Sequence, residues 1–249
     1  MDKTQIIILA GGKGTRMQSD GPKVLVPAGG EPIILRLLRA IERICPRPAI
    51  IVGYQGEKVI EMTGNRLHYI WQREQLGTGH AIACAKTELE NEGFERIIVL
   101  PGDHPLLNEE TVLRLVAAHK RSGAVLTLST GLVVSFDGDF SVFYNFGRIV
   151  RGGDGQIARI VELKDATDTE KKITEVNLGY YCFQADWLWQ NIDKLQNNNQ
   201  AKEYYLTDLV GLAREQGKKI QAHLVDNIIE GFGVNTPEQL EVVEKYINK

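Results

Sequence analysis

An α/β fold, with a mainly parallel sheet covered by helices, is what this sequence of 249 residues predicts. Three observations carry that prediction. Short apolar runs alternate with amphipathic stretches, the texture of strand–helix–strand units. The run Ile97, Ile98, Val99, Leu100 is apolar without a break, as in a strand buried on both faces. An earlier run, Ile6 to Leu9, opens into Leu9-Ala10-Gly11-Gly12-Lys13-Gly14-Thr15-Arg16-Met17. Glycines leave the backbone bare, so such a loop can wrap its amides around a phosphate.

Residues 5–9 form the first strand. After the glycine loop a helix covers 32–44, with Pro32 in its first turn. Ile33, Ile34, Leu37, Leu38 and Ile41 make its buried face. Residues 49–52 and 67–70 are the next strands, and Thr78, in Gly77-Thr78-Gly79-His80, caps the following helix. Residues 96–100 are a central strand ending in Pro101-Gly102-Asp103. The helix after it has Asn108 as its cap, Glu109 and Glu110 in its first turn, Lys120 and Arg121 near its last, and Gly123 beyond. Strand-like stretches then dominate at 124–128, 147–150, 157–163 and 175–183, with a hairpin turn at Gly152-Gly153-Asp154-Gly155. This middle third reads as extra sheet added to the core, one wall of a cleft. Helix, strand and helix close the chain at 205–216, 219–225 and 237–247. No linker or repeat divides it, so one domain over 1–249 is expected.

The formal net charge of −3 argues against broad nucleic-acid or anionic-membrane binding, which needs a basic surplus. A phosphate ligand needs only local cations. Cys45, Cys84 and Cys182 are odd in number and form no CxxC, so neither a disulfide framework nor a zinc site is indicated. Reduced thiols in a cytoplasmic protein are expected. The first residues lack signal-peptide architecture, and no apolar run approaches the ~18–20 residues of a membrane span. No nucleic-acid, membrane or protein partner is indicated.

The glycine loop is not a P-loop, and Met17 stands where a dinucleotide fingerprint needs its third glycine. Lys13 and Arg16 lie inside it, giving an anion both amides and cations. Lys23 follows, between stiff Pro22 and apolar Val24-Leu25-Val26. Asp103 sits past the carboxyl end of a central strand, where ligands collect in open α/β sheets. It is either a turn aspartate or a magnesium ligand. Asn235 precedes Thr236-Pro237-Glu238-Gln239, in which Thr236 is the obvious helix cap and Gln239 completes a capping box. Its side chain is therefore free as an oxygen donor. Asp137-Gly138-Asp139 is a weak D-x-D metal motif and first a turn signal. His104 is a structural residue or a metal ligand. Neither a serine-hydrolase nor a zinc-peptidase motif occurs.

Together these stretches resemble the signature of the sugar-1-phosphate nucleotidylyltransferases. The closer likeness is to the uridylyltransferase half of bifunctional N-acetylglucosamine-1-phosphate uridylyltransferase/glucosamine-1-phosphate acetyltransferases. Glu74 to Ala81, Gly102-Asp103, Gly147-Arg148-Ile149, Lys164 to Thr167, Glu203-Tyr204-Tyr205-x-Thr207-Asp208 and Gly233-Val234-Asn235 extend the match along the chain. The resemblance implies a Rossmann-like three-layer sandwich with a β-rich sugar-binding part. A nucleotide-binding half would cover 1–123, a sugar-binding half 124–235 and a final helix 236–249. It implies that Leu9, Ala10, Gly11, Gly12, Gln72, Gly77, Thr78 and Gly102 bind the nucleotide. Gly147, Glu162 and Asn177 would bind the sugar, and Asp103 and Asn235 would hold Mg2+. Arg16 and Lys23 would bind the triphosphate's phosphates as catalytic cations.

The implied reaction is attack by a sugar-1-phosphate on the α-phosphorus of UTP, releasing pyrophosphate, a step toward cell-wall precursors. Another base or sugar, a glycosyltransferase using Asp137 and Asp139, or a binding protein without turnover are the alternatives. The sequence departs from the family in three ways: Pro101 in place of a tyrosine and Leu178 in Asn177-Leu178-Gly179, which bear on the sugar, and a longer segment at 135–146 that is a lid or a solvated loop. No hexapeptide repeat follows, so the acetyltransferase half is expected to be absent. The sequence is then a piece of a bifunctional chain or a stand-alone uridylyltransferase.

Overall fold

Strand β1 (Thr4–Ala10) forms because its apolar run has two cores to face. Ile6 and Ile8 point into one hydrophobic cluster and Ile7 into the other, the period-two alternation of a strand. The structure, a computed structural model, describes residues 3–17 and 20–247. Short 3-10 turns at Thr15–Met17 and Lys23–Leu25 lead to a two-residue ribbon, β2 (Pro27–Ala28) against β3 (Glu31–Pro32). Helix α1 (Ile33–Ile41) follows, burying Ile33, Ile34, Leu37 and Ile41, while Leu38 is only half-buried. It is shorter than the spacing suggests at both ends. Pro32, with ψ of 134°, stands outside it as the cap residue. The N–H groups of Ile44 and Cys45 both turn back to the Ile41 carbonyl, and Pro46 keeps Cys45 out of helical geometry.

The chain continues through β4 (Ala49–Val52), α2 (Gly56–Thr63), β5 (His68–Trp71), α3 (Thr78–Leu89), β6 (Arg96–Pro101) and α4 (Glu109–Ser122). Then come β7 (Leu126–Leu132), β8 (Arg148–Arg151), β9 (Ile157–Val161), β10 (Glu175–Gln184), α5 (Ala185–Asn191), α6 (Asp208–Glu215), β11 (Ile220–Leu224) and α7 (Pro237–Ile247). Helix α4 is bounded as its sequence dictates. Asn108 accepts from the Thr111 N–H at 2.9 Å, and Gly123 closes the helix in the left-handed region. Helices α2 and α5, eight and seven residues long, are too short to show a helical period in sequence.

The main sheet runs β11-β7-β10-β6-β1-β4-β5. Every neighbouring pair along it is parallel except those of β10, which is antiparallel to β6 and β7. The middle third is thus only partly an addition. Strands β7 and β10 are built into the central sheet, and only the β8–β9 hairpin hangs off it, from β10. Helices α1, α2, α4 and α7 cover one face, and α3, α5 and α6 the other. Strands β4 and β6 alternate as β1 does, with Ile50 and Ile98 on one side and Ile51 and Val99 on the other. The protein is a Rossmann-like three-layer sandwich. No helix among the described residues is long and apolar enough to cross a membrane.

His119 of α4 is buried, with Nδ1 2.9 Å from the Thr127 hydroxyl. Burial, helped by Arg96, holds its pKa down at about 4. Between pH 6.5 and 4 the unfolded chain therefore binds a proton that the folded one refuses, and stability falls as pH drops through that window. His119→Asn, which keeps an acceptor for Thr127, is expected to flatten this dependence in urea midpoints measured from pH 7 to 4. A Cβ on Gly102 would stand 2.7 Å from the Leu9 carbonyl oxygen. Gly102→Ala is expected to lower unfolding free energy by about 2 kcal/mol in the same assay.

Candidate functional site

Strands β1 and β6 lie side by side and parallel, with Leu9 opposite Pro101. Both chains leave the sheet at its carboxyl edge, where open α/β sheets gather ligands. The Gly102 N–H donates to the Leu9 carbonyl at 2.9 Å, and the Tyr54 N–H to the Gly11 carbonyl at 3.2 Å. These bonds hold the glycine loop against the ends of β6 and β4. A cavity of about 360 Å³ opens there, lined by Leu9, Ala10, Gly11, Gly12, Gln72, Gly77 and Thr78, with Lys23 and Asp103 on its wall. Gly102 lies between two lining residues, Pro101 and Asp103.

The Lys23 ammonium donates to Asp103 Oδ2 and to Asn235 Oδ1, each at 2.6 Å. Burial pushes the Asp103 carboxyl up, but the Lys23 charge, aided by His104, outweighs it and the group titrates below its ordinary value. Asn235 is free for this contact because Thr236 and Gln239 take the capping work. The Gln239 N–H donates to Thr236 Oγ1 at 3.3 Å, and Gln239 Oε1 accepts from the Asn235 N–H at 2.7 Å. His104 is structural. Tyr180 donates its hydroxyl proton to the Glu230 carbonyl at 2.7 Å, so it receives the Nδ1–H of His104 at 2.8 Å. Burial lowers the His104 pKa to about 4, and its Nε2 lies 3.8 Å from Asp103, beyond a hydrogen bond.

Thr78 is not the cap of α3. Gly77, at φ 107°, holds that position, and the Thr78 hydroxyl instead accepts from the Leu206 N–H at 3.1 Å. The reason is a long-range contact. The Tyr204 N–H donates to the Leu76 carbonyl and the Gly79 N–H to the Tyr204 carbonyl, both at 2.8 Å. A Cβ on Gly77 would stand 2.6 Å from that Tyr204 oxygen. Glu203 and Gln75, which also line the cavity, were not singled out from sequence. Their motifs were visible, but the contact that aims them is not local.

Arg16 is exposed on the turn Thr15–Met17 and is not among the residues lining the cavity. Gly147, Glu162 and Asn177 meet one another outside that lining. The Asn177 N–H donates to the Gly147 carbonyl at 2.9 Å, and a Cβ on Gly147 would stand 3.3 Å from Glu162 Oε1. Burial raises the Glu162 pKa, partly offset by the Thr207 hydroxyl at 3.1 Å, with Asp208 and Asp165 adding to the rise. The link between the two groups is Gly179. Its N–H donates to Asn177 Oδ1 at 3.2 Å, and its φ of 80° brings it against Pro101, which lines the cavity. Leu178 turns the other way. Its side chain is buried in the core beside Gly131 and Gly231.

Asp139 is a helix anchor: Lys245 donates to it at 2.8 Å and the Tyr246 hydroxyl at 3.2 Å. The D-x-D motif therefore ties α7 to the 3-10 segment Gly138–Asn145 and stands apart from the cavity lining. The 135–146 segment is anchored to the core at its centre, while residues such as Ser135, Asp137, Ser141 and Asn145 stay exposed. Phe143 is fully buried among Phe140, Phe146 and Phe232. Arg148, also fully buried, donates to the carbonyls of Tyr144 at 2.8 Å, Phe146 and Lys171, with its guanidinium 4.5 Å above the Phe136 ring.

This architecture places the protein in the class of α/β nucleotidyltransferases. The chain belongs to the MobA-like NTP transferase domain family, whose model matches residues 6–163. It is 40% identical over 253 residues to Bifunctional protein GlmU of Geobacter sulfurreducens, covering 100% of this chain and 51% of that protein. To Bifunctional protein GlmU of Carboxydothermus hydrogenoformans it is 42% identical over 240 residues, covering 96% and 52%. The chain thus spans about half the length of the curated relatives it matches. A structure of a candidate glucose-1-phosphate thymidylyltransferase from Bacillus anthracis, solved with sucrose, superposes with a TM-score of 0.74 over 98% of this chain and 94% of that one. At 18% identity, that likeness is one of fold.

Arg148→Met removes a fully buried guanidinium and leaves the carbonyls of Tyr144, Phe146 and Lys171 without its donors, and is expected to cost about 3 kcal/mol of stability. Limited proteolysis followed by mass spectrometry should then show new cleavage within 135–146.

Proposed function

We propose that the protein transfers a uridylyl group from UTP to a sugar 1-phosphate, N-acetylglucosamine 1-phosphate, giving the UDP-sugar and pyrophosphate. The convergence of Lys23, Asp103 and Asn235 beside the glycine loop carries this reading. A sugar-phosphate oxygen is already ionised at neutral pH, so the reaction needs no general base. Its barrier lies in positioning two anions and in the charge that builds at the α-phosphoryl group. Bare amides at Gly11 and Gly12 would meet the phosphates, Lys23 would neutralise the α-phosphoryl charge, and Arg16 would hold the leaving pyrophosphate. Gly147, Glu162 and Asn177 would receive the sugar.

The donor set fits Mg2+. Asp103 Oδ2 and Asn235 Oδ1 converge on one point, marked by the Lys23 nitrogen at 2.6 Å from each, which the ammonium would leave for the phosphates when the cation takes its place. Two hard oxygens carrying one negative charge suit a cation that takes its remaining ligands from water and phosphate. When bound there, Mg2+ would supply charge neutralisation and in-line orientation of the phosphates. The relatives called Bifunctional protein GlmU support the choice of reaction class.

Pyrophosphate release across a matrix of nucleoside triphosphates and sugar 1-phosphates, with magnesium, tests the reading. Highest turnover is expected with UTP and N-acetylglucosamine 1-phosphate, and none after chelation. Release of a nucleoside diphosphate instead would assign the protein to sugar transfer. Lys23→Ala is expected to keep its circular dichroism spectrum and lose about a hundredfold in kcat, roughly 3 kcal/mol of barrier. Near-normal turnover in that variant would remove Lys23 from the chemistry.

A further inference from the structure

Gln72 follows β5 and is almost wholly buried, yet its amide can be oriented without ambiguity. One end of the amide lies 3.0 Å from the Gly77 carbonyl oxygen. A carbonyl only accepts, so that end is the NH2 group. The same nitrogen lies 3.2 Å from Nδ1 of His80. Its second proton then goes to Nδ1, which must be the bare nitrogen of the imidazole. The ring proton sits on Nε2, facing the Cys84 sulfur at 3.8 Å. With both amide protons taken, the other end of Gln72 is fixed as an acceptor. No protein donor meets its Oε1 among the described residues. Oε1 lies where a Cβ on Gly11 would come within 3.1 Å, and Gly11 and Gln72 both line the cavity. The glycine leaves that oxygen uncovered.

A lone acceptor aimed into a nucleotide cavity takes a donor on the base, such as a ring N–H. Uracil offers one at N3, and cytosine has a bare nitrogen at the same place. We propose that His80 is a specificity-determining positioning residue. By accepting the second amide proton of Gln72 it keeps Oε1 turned to the base, so that the cavity takes an imide base in preference to cytosine. The inference rests on the reading of this cavity as the nucleotide site and adds the device that selects the base. Without an acceptor at position 80, one buried amide proton has no partner. The amide then tilts to carry that proton into the cavity, where the bare N3 of cytosine can receive it.

Calorimetric titration of UTP and of CTP, each with magnesium, into the intact protein tests this apart from turnover. Wild type is expected to bind UTP at least about tenfold more tightly than CTP, the scale of one mismatched hydrogen bond. His80→Leu should shrink that ratio by about fivefold or more. His80→Asn, whose Oδ1 stands in for Nδ1, should keep it within about twofold of wild type. A purely structural histidine would weaken both nucleotides together and leave the ratio alone. An unchanged ratio in His80→Leu overturns the proposal, and so does a wild type that prefers CTP or binds neither. Should His80→Leu not fold, His80→Phe, which also lacks an acceptor, is expected to shrink the ratio in the same way, and an unchanged ratio there overturns the proposal. Selective UTP binding without pyrophosphate release from any sugar phosphate would overturn the proposed activity and leave the base assignment standing.

Discussion

The pairing of β1 with β6 is the constraint on which the rest depends. These parallel strands are buried on both faces, so a slip by one residue would force Ile6 and Ile8 into the packing fitted to Ile7, and Ile7 into theirs. Their register puts Leu9 opposite Pro101, and the Gly102 N–H then closes on the Leu9 carbonyl. That single bond sets where the glycine loop and Asp103 stand relative to each other. It also explains why position 102 is glycine: any side chain there would press on the carbonyl that fixes the register.

A second constraint is electrostatic. Lys23 joins Asp103 and Asn235 across 80 and 212 residues of sequence. An isolated buried carboxylate is costly, and the ammonium keeps this one ionised. The pairing draws the ends of three distant segments to one point. It does so without His104, whose buried ring is committed to Tyr180 and serves as packing under the site. Charge on the cavity wall is thus assembled from loops, while the strands beneath supply position.

The middle third solves a different problem. Strand β10 must lie antiparallel in an otherwise parallel sheet and still deliver Asn177 toward the edge where β6 ends. A break in register between Asn177 and Tyr181 does this, with Gly179 in the left-handed region at its centre. The break also buries Leu178 in the core. The group Gly147, Glu162 and Asn177 is in this way coupled through Gly179 to Pro101 and the cavity. The 3-10 segment before β8 is held by Arg148 and by aromatic packing, so this side of the molecule is braced.

Much of this was legible in the sequence, for identifiable reasons. Continuous apolar runs marked β1, β4 and β6, because strands buried on both faces have no polar side to interrupt them. Asn108 and Gly123 bounded α4, and the Thr236–Gln239 box freed Asn235, because capping is local chemistry within four residues. The glycine loop declared itself by composition. What the sequence alone did not decide was whatever depends on residues far apart along the chain. The order of the strands, the insertion of β10, the use of Thr78 to hold Leu206 and the anchoring role of Asp139 all rest on contacts that only the folded chain creates. Local propensity names the elements, and burial with hydrogen-bond satisfaction across the sheet decides which side chains meet.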